Sequence, residues 1–168
     1  AGSTVVEAGA VQNIGSYVTV PSGSATWTVT AGGNAASVAP INLVAGSDNT
    51  LLVTGTAAAA TATLLTDDNH APTVSTNAKM RLINGLSSGT EGLQLYVDLA
   101  QVATGVTPGT ASTYRAVTGS TNMYIEVKAA SGTSVWTLSN RSIPGGNVYT
   151  VFVLGNASAP ATTMLRDR

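Results

Sequence analysis

The sequence predicts an all-β protein made of two tandem, antiparallel, sandwich-like modules. Three observations predict it: apolar and polar residues alternate in short runs, turn residues separate the runs, and the second half of the chain repeats the strand order of the first. Alternation with a period of two places one face of a strand on a core and the other in water, as in antiparallel sheets. Many short strands joined by regular turns are typical of a sandwich or a barrel.

The alternating runs are the predicted strands. They are rich in β-branched and aromatic residues, which fit a pleated surface. In chain order they are Ser16–Val20, Ala25–Ala31, Lys79–Asn84, Leu93–Asp98, Met123–Ala129 and Val148–Val153. Turn sequences such as Pro21-Ser22-Gly23 and Gly32-Gly33-Asn34 separate them. The alanine run at 57–60 is predicted as a loop leading into a strand, because the threonines around it lower helix propensity.

An internal repeat relates the two halves of the chain. Residues 38–68 match residues 138–168 at an offset of 100. The matches include Leu43 with Ile143, Gly46 with Gly146, Val53 with Val153, and Leu64-Leu65-Thr66-Asp67 with Met164-Leu165-Arg166-Asp167. With small gaps, Tyr17 matches Tyr114 and Trp27 matches Ile125. Duplication of one module explains the pattern, and we predict modules at 1–69 and 78–168 with a linker at 70–77.

The first module is predicted to lack its opening strand. The second module begins with the strand Lys79–Asn84, and the first has no counterpart of it. The first module begins instead at Thr4-Val5-Val6-Glu7, which corresponds roughly to Tyr96-Val97-Asp98. A sandwich without one strand leaves backbone groups unpaired and part of its core uncovered. A strand from a neighbouring copy could fill the gap.

Several of these segments resemble one known family. Met80-Arg81-Leu82-Ile83-Asn84-Gly85, Leu95-Tyr96-Val97-Asp98, Tyr114 and the turn and strand Gly145–Val151 resemble the domain of unknown function 4397 family. The resemblance implies immunoglobulin-like β-sandwich domains of bacterial exported and surface proteins, with no agreed activity and no catalytic residues. It covers 78–168 as a complete copy and 1–69 as a copy without its first strand. The second copy departs from the family at Leu99-Ala100, where a glycine-containing turn often follows the aspartate.

Charge is divided between the modules, although the formal net charge of the chain is only −1. Residues 1–77 hold four carboxylates and no Lys or Arg, a charge of −4, whereas residues 78–168 hold seven basic against four acidic residues, a charge of +3. Drift between two modules explains this as well as head-to-tail association does, in which an acidic end meets the basic end of the next copy. The candidate assembly surface comprises Thr4, Val5, Val6, Glu7, Lys79, Arg81, Arg166 and Arg168.

Composition restricts the class of protein. Charged residues make up 9% of the chain, against about 25% in a typical soluble domain. Such compositions are common in bacterial secreted proteins, so we expect a processed chain at an extracellular or cell-surface location. The absence of cysteine excludes disulfides and cysteine-ligated metals. No apolar run approaches the roughly 18 residues that span a bilayer, and sparse basic residues without an aromatic platform argue against nucleic acid as a partner.

No residue is assigned to catalysis, to a cofactor or to a metal. His70 is the single histidine and lies beside Asp67 and Asp68, but it falls in the predicted linker, whereas a catalytic dyad needs rigid, separate elements. Asp67-Asp68-Asn69 and Asp48-Asn49 supply fewer oxygens than a calcium site requires. Asp and Asn are also ordinary turn residues.

The two tryptophans receive different predictions. Trp27 is in phase with Val29 and is predicted to be a core residue. Trp136 lies between Val135 and Thr137, where it either packs in the core or stacks on a sugar, and it is therefore the candidate ligand contact.

The expected function is non-enzymatic. We expect an extracellular structural subunit that self-associates head to tail into a filament or matrix, with strand complementation at the missing position. The first alternative is a cell-surface adhesion module that binds a glycan or a protein. The second is a fragment of a longer tandem-domain surface protein, cut before Ala1, in which case the missing strand belongs to the parent chain.

Overall fold

A computed structural model of the protein describes residues 14–25, 27–31, 34–35, 37–38, 41–56 and 58–167. The chain divides into two compact units, Ala1–Asp67 and Asp68–Arg168, called below the first and the second unit. The described residues form strands, turns and irregular segments without any helix, so the all-β prediction is confirmed. It follows that the described part of the chain has no helix able to cross a membrane.

The first unit contains short strands followed by one long hairpin. Its strands are β1 (Gly23–Ala25), β2 (Thr30–Ala31), β3 (Asn34–Ala35), β4 (Ser37–Val38), β5 (Ile41–Leu43), β6 (Asp48–Thr56) and β7 (Ala59–Asp67). β1 pairs with β5 and β2 with β3, both antiparallel. β6 and β7 form an unbroken antiparallel ladder, and β4 runs parallel to β7 on its other side. The sheet order is therefore β4-β7-β6.

The second unit contains two sheets. Its strands are β8 (Asn77–Leu86), β9 (Leu93–Val97), β10 (Ala100–Val106), β11 (Thr110–Ala111), β12 (Arg115–Thr118), β13 (Ser120–Ala129), β14 (Ser134–Ile143), β15 (Val148–Asn156) and β16 (Ala159–Arg166). One sheet has the order β10-β9-β13-β14, and the other has the order β11-β8-β15-β16 with β12 also paired to β8. Its ladders are antiparallel, except that β8 and β15 run parallel.

The two sheets of the second unit enclose one apolar core. Met80, Leu82, Leu95, Ile125 and Val151 come from both sheets and are fully shielded from solvent. The second unit is therefore a β-sandwich, with which the predicted immunoglobulin-like arrangement is consistent. In the first unit, the buried apolar residues of the described ranges form a smaller and less bulky set: Ile41, Leu43, Leu52, Ala60 and Ala62.

Two predicted strands of the first module do not form as expected. Residues 14–22 have no regular secondary structure, so the prediction for Ser16–Val20 is wrong, and residues 27–29 interrupt the strand predicted over Ala25–Ala31. The counterpart of the first segment, around Tyr114, leads into β12, which pairs with β8. The first unit has no described strand in the position that β8 holds in the second unit.

The segment that leads into β8 is held by backbone hydrogen bonds to the rest of the second unit. Asn77 N donates to Val74 O at 2.9 Å, Gly119 N donates to Thr76 O at 2.8 Å, and Gly146 N donates to Asn77 O at 2.7 Å. The end of the predicted linker, residues 70–77, is thus fixed against the turn that precedes β15.

Candidate functional site

The hairpins β6–β7 and β15–β16 are two copies of one structure, and they differ in what flanks them. Both ladders are regular and keep the offset of the repeat, since Thr50 pairs with Leu65 as Thr150 pairs with Leu165. In the second unit β8 pairs with the other edge of β15 over eight positions. In the first unit, no strand of the described ranges pairs with the corresponding edge of β6.

The open edge of β6 leaves apolar surface exposed. Residues 148–153 of β15 are all buried, whereas at the matching positions 48–53 only Leu52 is buried. Val53 is 41% exposed, and its counterpart Val153 is 0% exposed. Full burial of a valine side chain contributes about 1.5 kcal/mol or more to stability. A strand added beside β6 would pair backbone groups and cover the flank of Val53, whereas Val153 also packs in the core between the two sheets of the second unit.

The two hairpins leave opposite edges open. Among the described strands of the first unit, β4 covers β7 and β6 lies at the edge. In the second unit β8 covers β15 and leaves β16 at the edge, as far as the described residues show. The ladder of β16 with β15 has no bulge, and both Leu165 and Arg166 on β16 are exposed. A regular edge strand of this kind is a template for pairing with another chain.

A polar cluster fixes the first hairpin to the segment before it. Tyr17 Oη and Thr50 Oγ1 donate hydrogen bonds to Asp67 Oδ2, at 2.6 and 2.7 Å. Asp67 is buried and Tyr17 is 50% exposed. Hydrogen bonds to a carboxylate are stronger than those between neutral groups, so the cluster holds the irregular segment around Tyr17 onto the end of β7.

The second unit repeats this cluster and adds an arginine. Tyr114 Oη and Thr150 Oγ1 donate to Asp167 Oδ2, at 2.9 and 2.6 Å. Arg81 lies on β8 opposite Thr150, donates from Nε to Thr150 Oγ1 at 2.9 Å, and places its guanidinium 4.6 Å from the centre of the Tyr114 ring. Arg81 is 1% exposed. Burial raises the pKa of Tyr114, so its hydroxyl remains a proton donor.

The sequence analysis does not predict this cluster, although the internal repeat contains residues that indicate it. The three positions are identical in the two copies: Tyr17 and Tyr114, Thr50 and Thr150, Asp67 and Asp167. Identical polar residues at matching places in otherwise apolar strands are what would reveal it.

The predicted assembly surface divides into three groups. Thr4, Val5, Val6, Glu7 and Arg168 lie outside the described residues. Arg81 lies in the interior of the second unit, and the side chain of Lys79 is 13% exposed, so both belong to the packed strand β8. Arg166 lies on the open edge strand β16 and is exposed.

His70 belongs to a small surface network. Lys79 Nζ lies 2.7 Å from Asp68 Oδ2, and His70 Nδ1 lies 2.9 Å from Asp68 Oδ1. The hydrogen bonds from Lys79 and His70 lower the pKa of Asp68 to about 2. The side chain of His70 is 95% exposed, unlike a base held against a nucleophile. Within the described ranges, no group of three or more His, Asp or Glu side chains could hold a metal ion.

Trp136, the predicted ligand contact, is partly buried. It lies on β14 opposite Val127 of β13 and packs against the apolar core beside Val135 and Leu138. Part of the ring surface that a sugar would stack on is therefore used in packing.

A groove of about 820 Å³ in the second unit is lined by residues of β10, β12 and their neighbouring loops. The ionisable side chains of its lining are Asp98 and Arg115. Asp98 Oδ1 accepts a hydrogen bond from Tyr124 N at 2.8 Å, so this carboxylate fixes the turn between β9 and β10. An arginine and a carboxylate used in this way do not make the acid–base or nucleophile–base pair that hydrolytic chemistry uses.

Comparison with known families identifies the repeated unit. A family model described as a domain of unknown function (DUF4397) matches residues 1–91 and 85–168, so that two copies cover the chain. The chain belongs to the DUF4397 family. The resemblance seen in the sequence and the prediction of two copies are both confirmed. The first DUF4397 match continues through β8, the strand that the structure places in the second unit. No curated protein matches the chain.

Proposed function

We propose that this DUF4397 protein is a non-enzymatic structural subunit at the cell surface or outside the cell, and that it self-associates through the open edge of β6. One observation carries the proposal. Among the described strands, none lies on the edge of β6 that corresponds to the edge of β15 covered by β8. The occupant of the open edge is a strand of a second copy of the chain.

Charge and edge geometry both support a second copy as the occupant. The first unit holds three carboxylates and no Lys or Arg, a charge of −3, and the second holds seven basic against five acidic residues, a charge of +2, so the first unit of one copy attracts the second unit of another. The second unit also offers an open edge of its own at β16. A contact between unlike surfaces of two copies propagates head to tail and builds a filament unless the rotation closes a ring.

The donated strand is not β8. Within the described ranges, each chain has two strands, β6 and β15, whose matching edges could be paired by β8, but β8 is present once and already pairs with β15. An assembly of identical copies could not fill both edges with β8. The edge strand β16 is the described strand that is regular, exposed and available for pairing.

The energetics of such a joint favour specific association. Each new backbone hydrogen bond contributes a net of about 0.5–1.5 kcal/mol, and the joint also covers the flank of Val53. Alternation of side chains then fixes the register, because a shift by one residue moves every side chain to the other face.

The non-enzymatic and extracellular parts of the proposal have separate support. The groove of the second unit offers Asp98 and Arg115 rather than a reactive pair, and His70 lies on an exposed network. The low content of charged residues and the absence of cysteine are common in exported bacterial proteins that function without disulfides.

A pair of lysine variants on β6 tests the proposal. Val53→Lys places a charge on β6 beside the proposed added strand, which would remove part of that charge from water at a cost in free energy. Thr56→Lys is the matched control, because Thr56 is exposed and its counterpart lies beyond the ladder of β8 and β15, which ends at Gly155. Sedimentation velocity over a range of protein concentrations measures association.

We expect the native chain and Thr56→Lys to associate as concentration rises and Val53→Lys to remain monomeric. A native chain that stays a monodisperse monomer at high concentration, or a Val53→Lys variant that associates as the native chain does, would refute assembly through β6.

A further inference from the structure

We propose that the groove between β10 and β12 binds an extended, acidic peptide segment of a partner protein, one that carries an apolar side chain and a carboxylate two residues apart. The groove lies wholly in the second unit, so this proposal is independent of the joint at β6.

Two strand edges flank the groove. β10 pairs with β9 and β12 pairs with β8, and among the described strands none pairs with the second edge of either. A free edge accepts an added strand through backbone hydrogen bonds, and bulges hinder such pairing. The ladder of β12 is regular over its four residues, whereas the ladder of β10 shifts register twice. β12 is therefore the edge on which the peptide pairs.

Arg115 is an exposed arginine on the core-facing side of β12. It pairs with Met80 as Val117 pairs with Ala78, and both Met80 and Ala78 belong to the apolar core. Because residues opposite each other in a ladder share a face, Arg115 and Val117 face the interior of the sandwich. Arg115 is nevertheless exposed, since the groove opens beside it. Among the described residues, none forms an ion pair or a side-chain hydrogen bond with its guanidinium.

The floor of the groove is apolar. Val97, Ala103 and Met123 line it and belong to the buried core. The groove thus offers apolar surface beside Val117 and a cation at Arg115, two positions along the same face of β12. Side chains of a paired strand alternate with the same period, so an added strand places an apolar side chain opposite Val117 and a carboxylate opposite Arg115.

The lining favours a peptide over a glycan. The lining residues include no Phe, Tyr or Trp on which a sugar ring could stack. A free strand edge instead presents N–H and C=O groups that match those of a peptide backbone. The charges of the lining are Arg115 and Asp98, and Asp98 Oδ1 already accepts the hydrogen bond from Tyr124 N at 2.8 Å. Arg115 is the charge that remains for a ligand, and its sign selects a carboxylate.

A synthetic peptide array tests the proposal. Its members have the form Thr-Thr-Xaa-Thr-Zaa-Thr-Thr and the reversed order, where Xaa is Val, Ile, Leu or Phe and Zaa is Glu, Gln or Lys. A second set places Xaa and Zaa at adjacent positions, on opposite faces of a strand. Fluorescence anisotropy measures binding to the native chain, Arg115→Met, Arg115→Glu and Arg141→Met. Arg141→Met is the matched control, because Arg141 is exposed and lies outside the groove lining.

We expect the tightest Glu peptide of the first set to bind the native chain with a Kd below about 1 mM, and about tenfold more tightly than its Gln and adjacent-position counterparts. Arg115→Met should weaken its binding about tenfold, and Arg141→Met should leave it within about threefold. Arg115→Glu should prefer the Lys peptides instead. Circular dichroism and thermal unfolding show that each variant is folded. Val53→Lys should bind the peptide as the native chain does, because the groove forms without the joint at β6.

Two N-methylated forms of the tightest peptide test the backbone pairing without altering the protein. Alternate amides of a strand point to opposite edges, so methylation of one alternate set removes the donors that face β12 and methylation of the other set does not. One form should lose at least about tenfold in affinity, and the other should bind within about threefold of the unmodified peptide.

Several results would overturn the proposal. No Glu peptide binds below about 1 mM, or the Gln peptides bind as tightly as the Glu peptides, or Arg115→Met leaves binding unchanged. Equal binding by both N-methylated forms would exclude strand addition at β12. Loss of peptide binding in Val53→Lys would place the site at the joint of the assembly rather than in the groove.

Discussion

Individual residues help to fix how strands pair in the β11-β8-β15-β16 sheet, and Arg81 is the clearest case. A buried charge is costly unless other groups compensate it, and Arg81 is 1% exposed with Thr150 and the Tyr114 ring as partners. A one-residue slip of β8 along β15 would turn Arg81 towards the apolar core beside Met80 and Leu82. Arg81 therefore helps to fix the register of a parallel pair.

The turn between β9 and β10 contains a strained residue. Asp98 and Leu99 have φ values of 46° and 68°, as in a two-residue hairpin turn that favours glycine at its second position. Leu99 is 79% exposed, so its replacement removes little packing. The left-handed conformation costs a non-glycine residue about 1–2 kcal/mol. Glycine avoids this cost, but it loses more conformational entropy on folding, so only part of the energy is recovered.

Leu99→Gly should therefore raise the free energy of unfolding of the second unit by about 0.5–1 kcal/mol. Urea denaturation measures the change. Leu99→Ala keeps a Cβ atom in the same conformation and should give no gain. A decrease in stability for Leu99→Gly would show that the turn is not strained.

The strands show which parts of the fold can be predicted from the sequence. Alternation over Leu93–Asp98, Met123–Ala129 and Val148–Val153 predicted strands that the structure forms as β9, β13 and β15. Each of these runs has a partner strand on both sides. Ser16–Val20 has the same local pattern but no strand, because pairing depends on a remote segment that local propensity does not report.

Two further features could not be predicted from the sequence for the same reason. The parallel direction of β8 and β15 leaves the alternation unchanged, since side chains alternate in either direction. The polar cluster joins Tyr17 to Asp67 across the length of the first unit, and only the three-dimensional pairing brings the two together.

The approach of β8 to its sheet leaves no room for a side chain at Gly145. A Cβ atom on Gly145 would lie 2.6 Å from Thr76 C and 2.7 Å from Thr76 O, and Thr76 O is held by the hydrogen bond from Gly119 N. The matching residue in the first unit is Ala45, which is exposed. A donated strand would therefore have to reach β6 by a path other than the one that residues 75–76 follow to β8.

Gly145→Ala should destabilise the second unit by about 1–3 kcal/mol, because backbone must shift to admit the methyl group. Ala45→Gly is the matched change and should alter the stability of the first unit by less than about 1 kcal/mol. Chemical denaturation followed by circular dichroism compares them. Equal effects of the two substitutions would contradict the close approach at Gly145.

At the scale of the whole molecule, duplication has produced two copies that are not interchangeable. The first unit leaves β6 open and covers β7, and the second covers β15 and leaves β16 open within the described ranges. Two copies of one hairpin thus present different edges, with opposite charge around them. This asymmetry makes a head-to-tail contact possible within a single kind of subunit, which a pair of identical units with identical edges would not provide.

The same asymmetry predicts two unfolding transitions with different responses to concentration. The second unit has the larger buried set, with Leu82, Ile125 and Val151 at 0% exposure, so it should unfold at the higher temperature. The lower transition, of the first unit, should rise with protein concentration because association completes its sheet and stabilises only the folded form.

The chain has two tryptophans, one in each unit, so fluorescence can assign each unfolding transition to a unit. In Trp136→Phe the fluorescence of Trp27 reports the first unit, and in Trp27→Phe the fluorescence of Trp136 reports the second. We expect the Trp27 midpoint to increase across a hundredfold range of protein concentration while the Trp136 midpoint stays constant. Adding Val53→Lys to Trp136→Phe should abolish the increase. A Trp136 midpoint that rises equally would mean that association stabilises both units, which pairing at the β6 edge alone does not explain.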